Sequence, residues 1–271
     1  MRIVVCVKEV LDPDAVNNFA LANKLTIGED NKTIAQAAVP ALINAYDEQA
    51  VEAALRLRDA GTECTVTAVS VGSNPVQVLR HVAALGCDEI VAITVDASTL
   101  DCPGVAAVLA AYITKSGGAD LVLCGRQASD DDQGVVPAVL GETLNMPVIT
   151  VARDVSVLSE NGWVTARVTR VTPNGDEVVQ AKCPAVVTVS SELGQPRYPT
   201  AARTIQARKM QPATFFAADL GLTDSDLQPR AVVIRQFVPR VQGSCEFIDG
   251  SSPAEVAARL VERLRADRVI S

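Results

Sequence analysis

Histidine is nearly missing from this 271-residue chain: His81 is the only one. With one imidazole, no GxSxG elbow and no Ser-His-Asp set, acyl-transfer chemistry has no machinery here. A nucleophilic cysteine would likewise have only His81 for a base. Seven cysteines (Cys6, Cys64, Cys87, Cys102, Cys124, Cys183, Cys245) are scattered without a CxxC pair, so zinc spacing is absent as well. Most lie in or beside apolar runs, as reduced structural thiols do. Aromatic residues make up only 3%, and the excess of Ala and Val suits parallel strands covered by helices. No apolar run is long enough to span a bilayer, and the opening run Ile3 to Val7 stops at Lys8, too short for a secretory core. The expectation is a soluble protein, not membrane-embedded, of the bacterial or archaeal cytoplasm or the equivalent mitochondrial matrix. A net charge of −8 argues against nucleic acid as the main partner. Neither GxGxxG after the first strand nor GxxxxGK[ST] anywhere occurs. That excludes the conventional dinucleotide fingerprint and the phosphate-binding-loop NTPases.

What is present alternates strand with helix. Arg2 to Lys8 reads as a strand buried on both faces, hence central. Residues 12–41 form a long irregular excursion, of a kind that serves an interface or a ligand or holds a small hairpin. An amphipathic helix follows, with Ala50, Val51, Ala54 and Leu55 on one face, Asn44 or Asp47 as its cap, and Gly61 at its end. Strands are expected over residues 64–71, 88–95, 121–124 and 148–151, and helices over 76–85, 104–115 and from Val135. This order specifies an α/β fold: a doubly wound, mostly parallel, Rossmann-like sheet with right-handed crossovers. After residue 153 the pattern becomes a hairpin, Trp163 to Arg170 and Glu177 to Ala181 about Pro173-Asn174-Gly175. Ala185 to Val189 then returns to the sheet. The expected division is an α/β domain over 1–190, a protruding, partly basic segment over 191–210, and a C-terminal arm over 211–271. In the arm, Ser252-Pro253-Ala254-Glu255 caps a helix presenting Val256, Leu260, Leu264 and Val269. Such an arm suits packing on a second chain.

The stretch from Asp120 to Pro147 carries the candidate site. A buried strand breaks at Gly125, a polar loop runs from Arg126 to Gly134, and a helix begins at Val135 with Pro137 near its start. In an open α/β sheet ligands lie beyond the carboxyl ends of the strands, and helix-start amides suit a phosphate. The consecutive carboxylates Asp130, Asp131 and Asp132 would repel that phosphate unless turned toward ribose hydroxyls or water. An Asp cap on the next helix, or a Mg²⁺ site, is the competing use of the same residues. No catalytic groups are evident.

Four ordered stretches resemble the electron transfer flavoprotein β subunit: Arg2 to Lys8 (RIVVCVK), Asn44 to Ala54 (NAYDEQAVEAA), Gly125 to Asp132 (GRQASDDD) and Leu193 to Tyr198 (LGQPRY). The likeness runs almost end to end. It implies a heterodimer with an α subunit that holds most of a shared FAD, and an AMP buried in this chain. It places Cys6, Asn44, Ala45, Tyr46, Asp47, Val71 and the loop residues Arg126, Gln127, Ala128, Ser129, Asp130, Asp131, Asp132, Gln133, Gly134, Val135 and Val136 about that nucleotide. Electrons would pass from an acyl-CoA or related dehydrogenase to a membrane quinone oxidoreductase. Leu193, Pro196, Arg197 and Tyr198 resemble the loop that docks the dehydrogenase, with Leu193 as an apolar plug and Arg197, Arg203, Arg208 and Lys209 steering acidic partners. Where many relatives carry Gln, then Val or Thr, then Gly, this chain has Val135, Val136 and Pro137. A phosphate contact from that Gln is therefore not carried over, and backbone contacts from Gln133 to Val136 remain. Three readings stay open: an electron carrier with AMP, a bifurcating subunit with a second FAD and NADH oxidation, and a nucleotide-sensing module.

Overall fold

Five consecutive residues, Arg2–Cys6 (β1), carry only one charged side chain, and the run is an interior strand, fourth from one edge of a nine-stranded sheet. The computed structural model describes residues 1–35, 39–160, 162–238 and 245–270. The parts of the expected excursion and arm at 36–38, 239–244 and 271 lie outside the described residues, as does Asn161. On one side of β1 lie Thr65–Gly72 (β4), Glu89–Thr94 (β5) and Ala213–Phe216 (β11), all parallel. On the other lie Leu121–Gly125 (β6), Ala185–Val189 (β10) and Val148–Glu160 (β7), also parallel. Trp163–Thr172 (β8) and Gly175–Lys182 (β9) then continue the sheet antiparallel.

Both faces of β1 are buried, as its lack of polar alternation requires. Ile3 and Val5 pack with Ala45–Asp59 (α2) and Val76–Leu85 (α3), whereas Val4 and Cys6 pack with Cys102–Lys115 (α4) and Val135–Thr143 (α5). The expected doubly wound, mostly parallel α/β architecture is the observed one. In α5, Gly141 lets the helix approach β7: a Cβ there would collide with Val148 Cγ2.

Three elements differ from expectation. Residues 12–41 hold a helix, Pro13–Leu21 (α1), whose N-cap Asp12 accepts from the amides of Asp14 and Ala15. No residue of α1 is buried, so the helix has no core-facing stripe to read. The excursion is flanked by Glu9–Leu11 (β2) and Ala41–Ile43 (β3), a small antiparallel pair. Strand β7 does not stop at Val151 but runs to Glu160, past a register shift. Val151 there has φ +60°, unusual for a β-branched residue, and its amide donates to Thr188 Oγ1 at 2.9 Å. The polar pair Arg153-Asp154 that follows masks the continuation. Strand β11, only four residues long, is too short to show a period; its Phe215 ring meets Tyr112 edge-on at 5.5 Å.

Contacts divide the chain into Met1–Gln236 and Phe237–Ser271. The first unit thus includes the turn Ser191–Leu193, the helices Ala201–Ala207 (α6) and Asp224–Leu227 (α7), and β11. In the second unit, Pro253–Ala266 (α8) is capped by Ser252, which accepts from the Glu255 amide, and it buries none of its residues. Among the described residues no helix is long and apolar enough to cross a membrane.

Replacing a helical Gly by Ala ordinarily gains about 1 kcal/mol of propensity, but overpacking a core costs about 1–3 kcal/mol. Val148 is β-branched and cannot swing aside, so the clash prevails. Gly141→Ala is expected to lower unfolding free energy by about 1–2 kcal/mol in urea titration, and adding Val148→Ala to remove that clash term in a double-mutant cycle.

Candidate functional site

Strand order reverses at β1: β4 lies on one side and β6 on the other, and the carboxyl ends of all three open into one crevice of about 440 Å³. That volume is toward the low end for small-molecule sites. Val69 and Val71 of β4 and Leu100, Val105 and Leu109 beside or on α4 give it apolar walls.

Helix α2 and its cap aim two polar side chains into this junction. Asp47 Oδ2 accepts from the Lys8 amide at 2.8 Å and Oδ1 from the Gly125 amide at 2.9 Å, tying the ends of β1 and β6 together. A Cβ on residue 125 would collide with Asp47 Oδ1, which is why glycine ends this strand. Burial pushes the Asp47 carboxyl up to about 7, even though hydrogen bonds from the Lys8 amide, Asn44 and the Gly125 amide pull it down. Asn44 occupies the N-cap position of α2, but its side chain does not cap the helix. Nδ2 donates instead to Gln127 O at 2.9 Å and Oδ1 accepts from the Ser129 amide at 3.1 Å, fixing the loop after β6. Arg126 lies over the Tyr46 ring, 5.1 Å from its centroid.

The three carboxylates go three ways. Asp130 is 2.8 Å and Asp131 3.6 Å from Lys8 Nζ. Asp131 also accepts from the Gln133 amide at 3.0 Å, and Asp132 accepts from Gln127 Nε2 at 2.7 Å. None of them caps α5: its N-cap is Gly134, with no side-chain hydrogen bond. The cap thus offers no side-chain acceptor to the first-turn amides of α5, and Gln133, Val136 and Pro137 at this helix start line the crevice. Among the described residues no three His, Cys, Asp or Glu side chains gather as metal ligands.

Of the residues expected about a ligand, Cys6, Asn44, Asp47, Val71, Gln127, Ala128, Asp131, Gln133 and Val136 line the crevice. Ala45, Tyr46, Arg126, Ser129, Asp130, Asp132, Gly134 and Val135 are not among the residues that line it. Lys8 was not among the expected residues, yet its place directly after β1, at the carboxyl edge, is the signal that would have found it. Ala231, Val232 and Val233 also reach the crevice from far along the chain. They are fixed by Asp101, whose carboxylate accepts from the Arg230 and Ala231 amides and caps α4 at Gly104. No motif marks that long-range contact.

The segment expected to dock a partner is built differently from its resemblance. Leu193 is only 7% exposed and belongs to this chain's own core, so it is no outward plug. Arg56 holds its carbonyl at 2.8 Å. Arg197, expected to steer acidic partners, is engaged by Glu52 and Asp59, each at 2.7 Å. Burial alone would raise the Glu52 carboxyl, but the bonds from Arg197 and Arg56 outweigh it and hold it low. Tyr198 is 80% exposed, with its hydroxyl accepting from Gln195 Nε2 at 2.8 Å.

A switch-point crevice with aliphatic walls and uncapped helix amides defines a Rossmann-like protein of the nucleotide-fold class. Residues 31–215 match the family model of the electron transfer flavoprotein domain. The chain is 33% identical over 276 residues to the caffeyl-CoA reductase-Etf complex subunit CarD of Acetobacterium woodii, covering 100% of both chains. It is 34% identical over 230 residues to the electron transfer flavoprotein subunit beta of Bacillus subtilis, covering 83% of this chain and 86% of that one. With the corresponding subunit of Megasphaera elsdenii it shares 31% over 289 residues and the full length of both. The chain belongs to the electron transfer flavoprotein β-subunit family.

Because the folded chain keeps a proton on Asp47 up to about pH 7, it binds more protons than the unfolded chain between about pH 4 and 7. Stability from this group is thus greatest at the acid side and is lost as pH rises through about 7. Urea unfolding of the wild type should show that decline between about pH 4 and 7 and no further change from this group above it, against which Asp47→Asn flattens the profile. The replacement amide supplies one acceptor oxygen for two backbone N–H groups, so the variant is also expected to be about 1–3 kcal/mol less stable at about pH 5. An unchanged slope in the variant would place the titration elsewhere.

Proposed function

We propose that this chain is the β subunit of a heterodimeric electron transfer flavoprotein. Paired with an α subunit, it carries electrons from an acyl-CoA-type dehydrogenase to a membrane quinone oxidoreductase, and it holds AMP in the switch-point crevice. The observation that carries the nucleotide is the uncapped start of α5 facing the crevice beside Gln133 and Val136. Those amides, with the helix dipole behind them, suit a phosphate. Val69, Val71, Val105 and Leu109 suit the faces of a purine. Pro137 adds wall but no donor. The residues present fit a mononucleotide. FAD, shared with and mainly held by the α subunit, supplies the redox chemistry when bound. This chain's part is to orient and shield. No histidine lines the crevice among the described residues, and two of its thiols are held from ionising: the hydrogen bond with Cys6 and burial push Cys124 up, and burial raises Cys102. Asp47 and Asn44 keep the β1 and β6 ends and their loop in one arrangement.

A second reading keeps the same fold and crevice but fills the crevice with a second FAD, in a bifurcating subunit that oxidises NADH. Its support is the full-length match to the Acetobacterium woodii relative, which is named as part of a reductase-Etf complex. Denaturing the purified heterodimer and counting released cofactors separates the two: one FAD plus one AMP is expected, and two FAD with no AMP would favour the second.

Docking of the dehydrogenase is assigned to the 191–210 segment, with Tyr198 as its protruding side chain. Tyr198→Ala is expected to slow electron acceptance from the dehydrogenase severalfold at unchanged flavin content, and an unchanged rate would remove it from the interface. Leu193→Ala should act instead on stability, by about 2–5 kcal/mol, through the cavity it leaves.

A further inference from the structure

Part of the crevice wall is a single thickness of chain without secondary structure. Ala231, Val232 and Val233 line the crevice, yet none belongs to a helix or strand, and neither valine packs into either core cluster. Ile234 beside them is 82% exposed. This strap is held at its two ends. Asp101 Oδ2 accepts from the Arg230 amide at 2.7 Å and from the Ala231 amide at 3.3 Å, and the Gln236 amide donates to Asn31 O at 2.7 Å. Between those points no amide of Val232, Val233 or Ile234 donates to another described residue. The anchors are unequal, because a carboxylate accepts more strongly than a carbonyl. Asp101 has a second duty: its other oxygen accepts from the Gly104 amide and caps α4. The latch is therefore seated on a helix of the core, and only the strap is free to leave it.

A segment with little buried surface and few hydrogen bonds opens at low free-energy cost, whereas the strand ends and α4 behind it stay folded. We infer that residues 230–236 are a gate: a strap latched by Asp101 at one end and Asn31 at the other, whose release lets a ligand enter and leave the crevice. The identity of that ligand rests on the nucleotide reading above; the gate itself does not. A gate lowers the barrier in both directions when it is loosened. Association and dissociation then quicken together and affinity holds, whereas loss of a mere contact shows in dissociation alone.

The test uses the full-length chain with its co-purified partner subunit. Cys6 is buried and lines the crevice, whereas Cys245 is exposed, so their labelling by N-ethylmaleimide, mapped by mass spectrometry, reports opening against a reference. Asp101→Asn keeps an oxygen for the Gly104 amide but turns an NH₂ group toward the two strap amides. Gln236→Pro removes the N–H of the other anchor and leaves the α4 cap alone. Each variant is expected to speed Cys6 labelling by about fivefold to tenfold, with Cys245 unchanged. Exchange of bound AMP for isotope-labelled AMP should quicken by the same factor, with Kd held within about twofold. Cys6 labelling at the wild-type rate in both variants overturns the gate and leaves the nucleotide site standing. Faster AMP release with an equal loss of affinity also overturns it, since the strap is then only a ligand contact. Absence of AMP from the heterodimer, with Cys6 labelling still accelerated in the variants, removes the nucleotide reading and supports the gate.

Discussion

One buried carboxylate holds the working edge of this sheet in shape. Strands β1 and β6 are neighbours, but beyond Cys6 and Gly125 their backbones part, and each leaves an amide at the point of divergence. Asp47 takes both, reaching up from α2 into a place where only glycine lets it fit. The crevice exists because the strands separate there, and it keeps its form because that separation is pinned. The cost is a carboxyl group desolvated enough to hold its proton near neutrality. Titratable groups perturbed by burial in this way cluster at functional sites.

The same helix serves the far side of the molecule. Its start carries Asn44 and Asp47; its later turns carry Glu52, Arg56 and Asp59, which grip Arg197 and the carbonyls of Leu193 and Gln195. Glu52 is buried yet accepts from two guanidinium groups, so its charge is compensated rather than stranded. Crevice and proposed docking segment are thus registered against one rigid rod. The acid run reads the same way: three adjacent aspartates that look incompatible with a phosphate are each turned to a different donor, through the geometry of the loop that contains them.

Much of the fold could be read directly from the residues, because its signals are local. The helix over Val76–Leu85 and the strand over Ala185–Val189 fall where apolar period and flanking glycine or proline put them. The site was legible to the level of the segment: the loop after β6 and the start of α2 do meet. What escaped was whatever depends on distant contacts. α1 buries nothing and so has no stripe; β7 continues past a bend hidden by two charged residues; Ala231 to Val233 arrive at the crevice through backbone amides that have no side-chain signature. Leu193 shows the reverse error. A leucine in a protruding polar segment invites an outward role, yet the segment folds back and places that side chain in the interior.

Strand β10 sits between β6 and β7, although it is made after both and after the whole β8–β9 hairpin. During synthesis β6 and β7 leave the ribosome with the slot between them vacant, each exposing an unpaired edge toward the other. Premature β6–β7 pairing would close the gap in the wrong order, and the late strand would then have to displace it. Joining β6 to β7 through β10 cannot be completed until Val189 has emerged, a non-local closure of the kind that slows folding and leaves open edges exposed to aggregation. For a nascent chain of this topology, the facing edges of β6 and β7 stay without their final partner in the interval between the emergence of β7 and the arrival of β10.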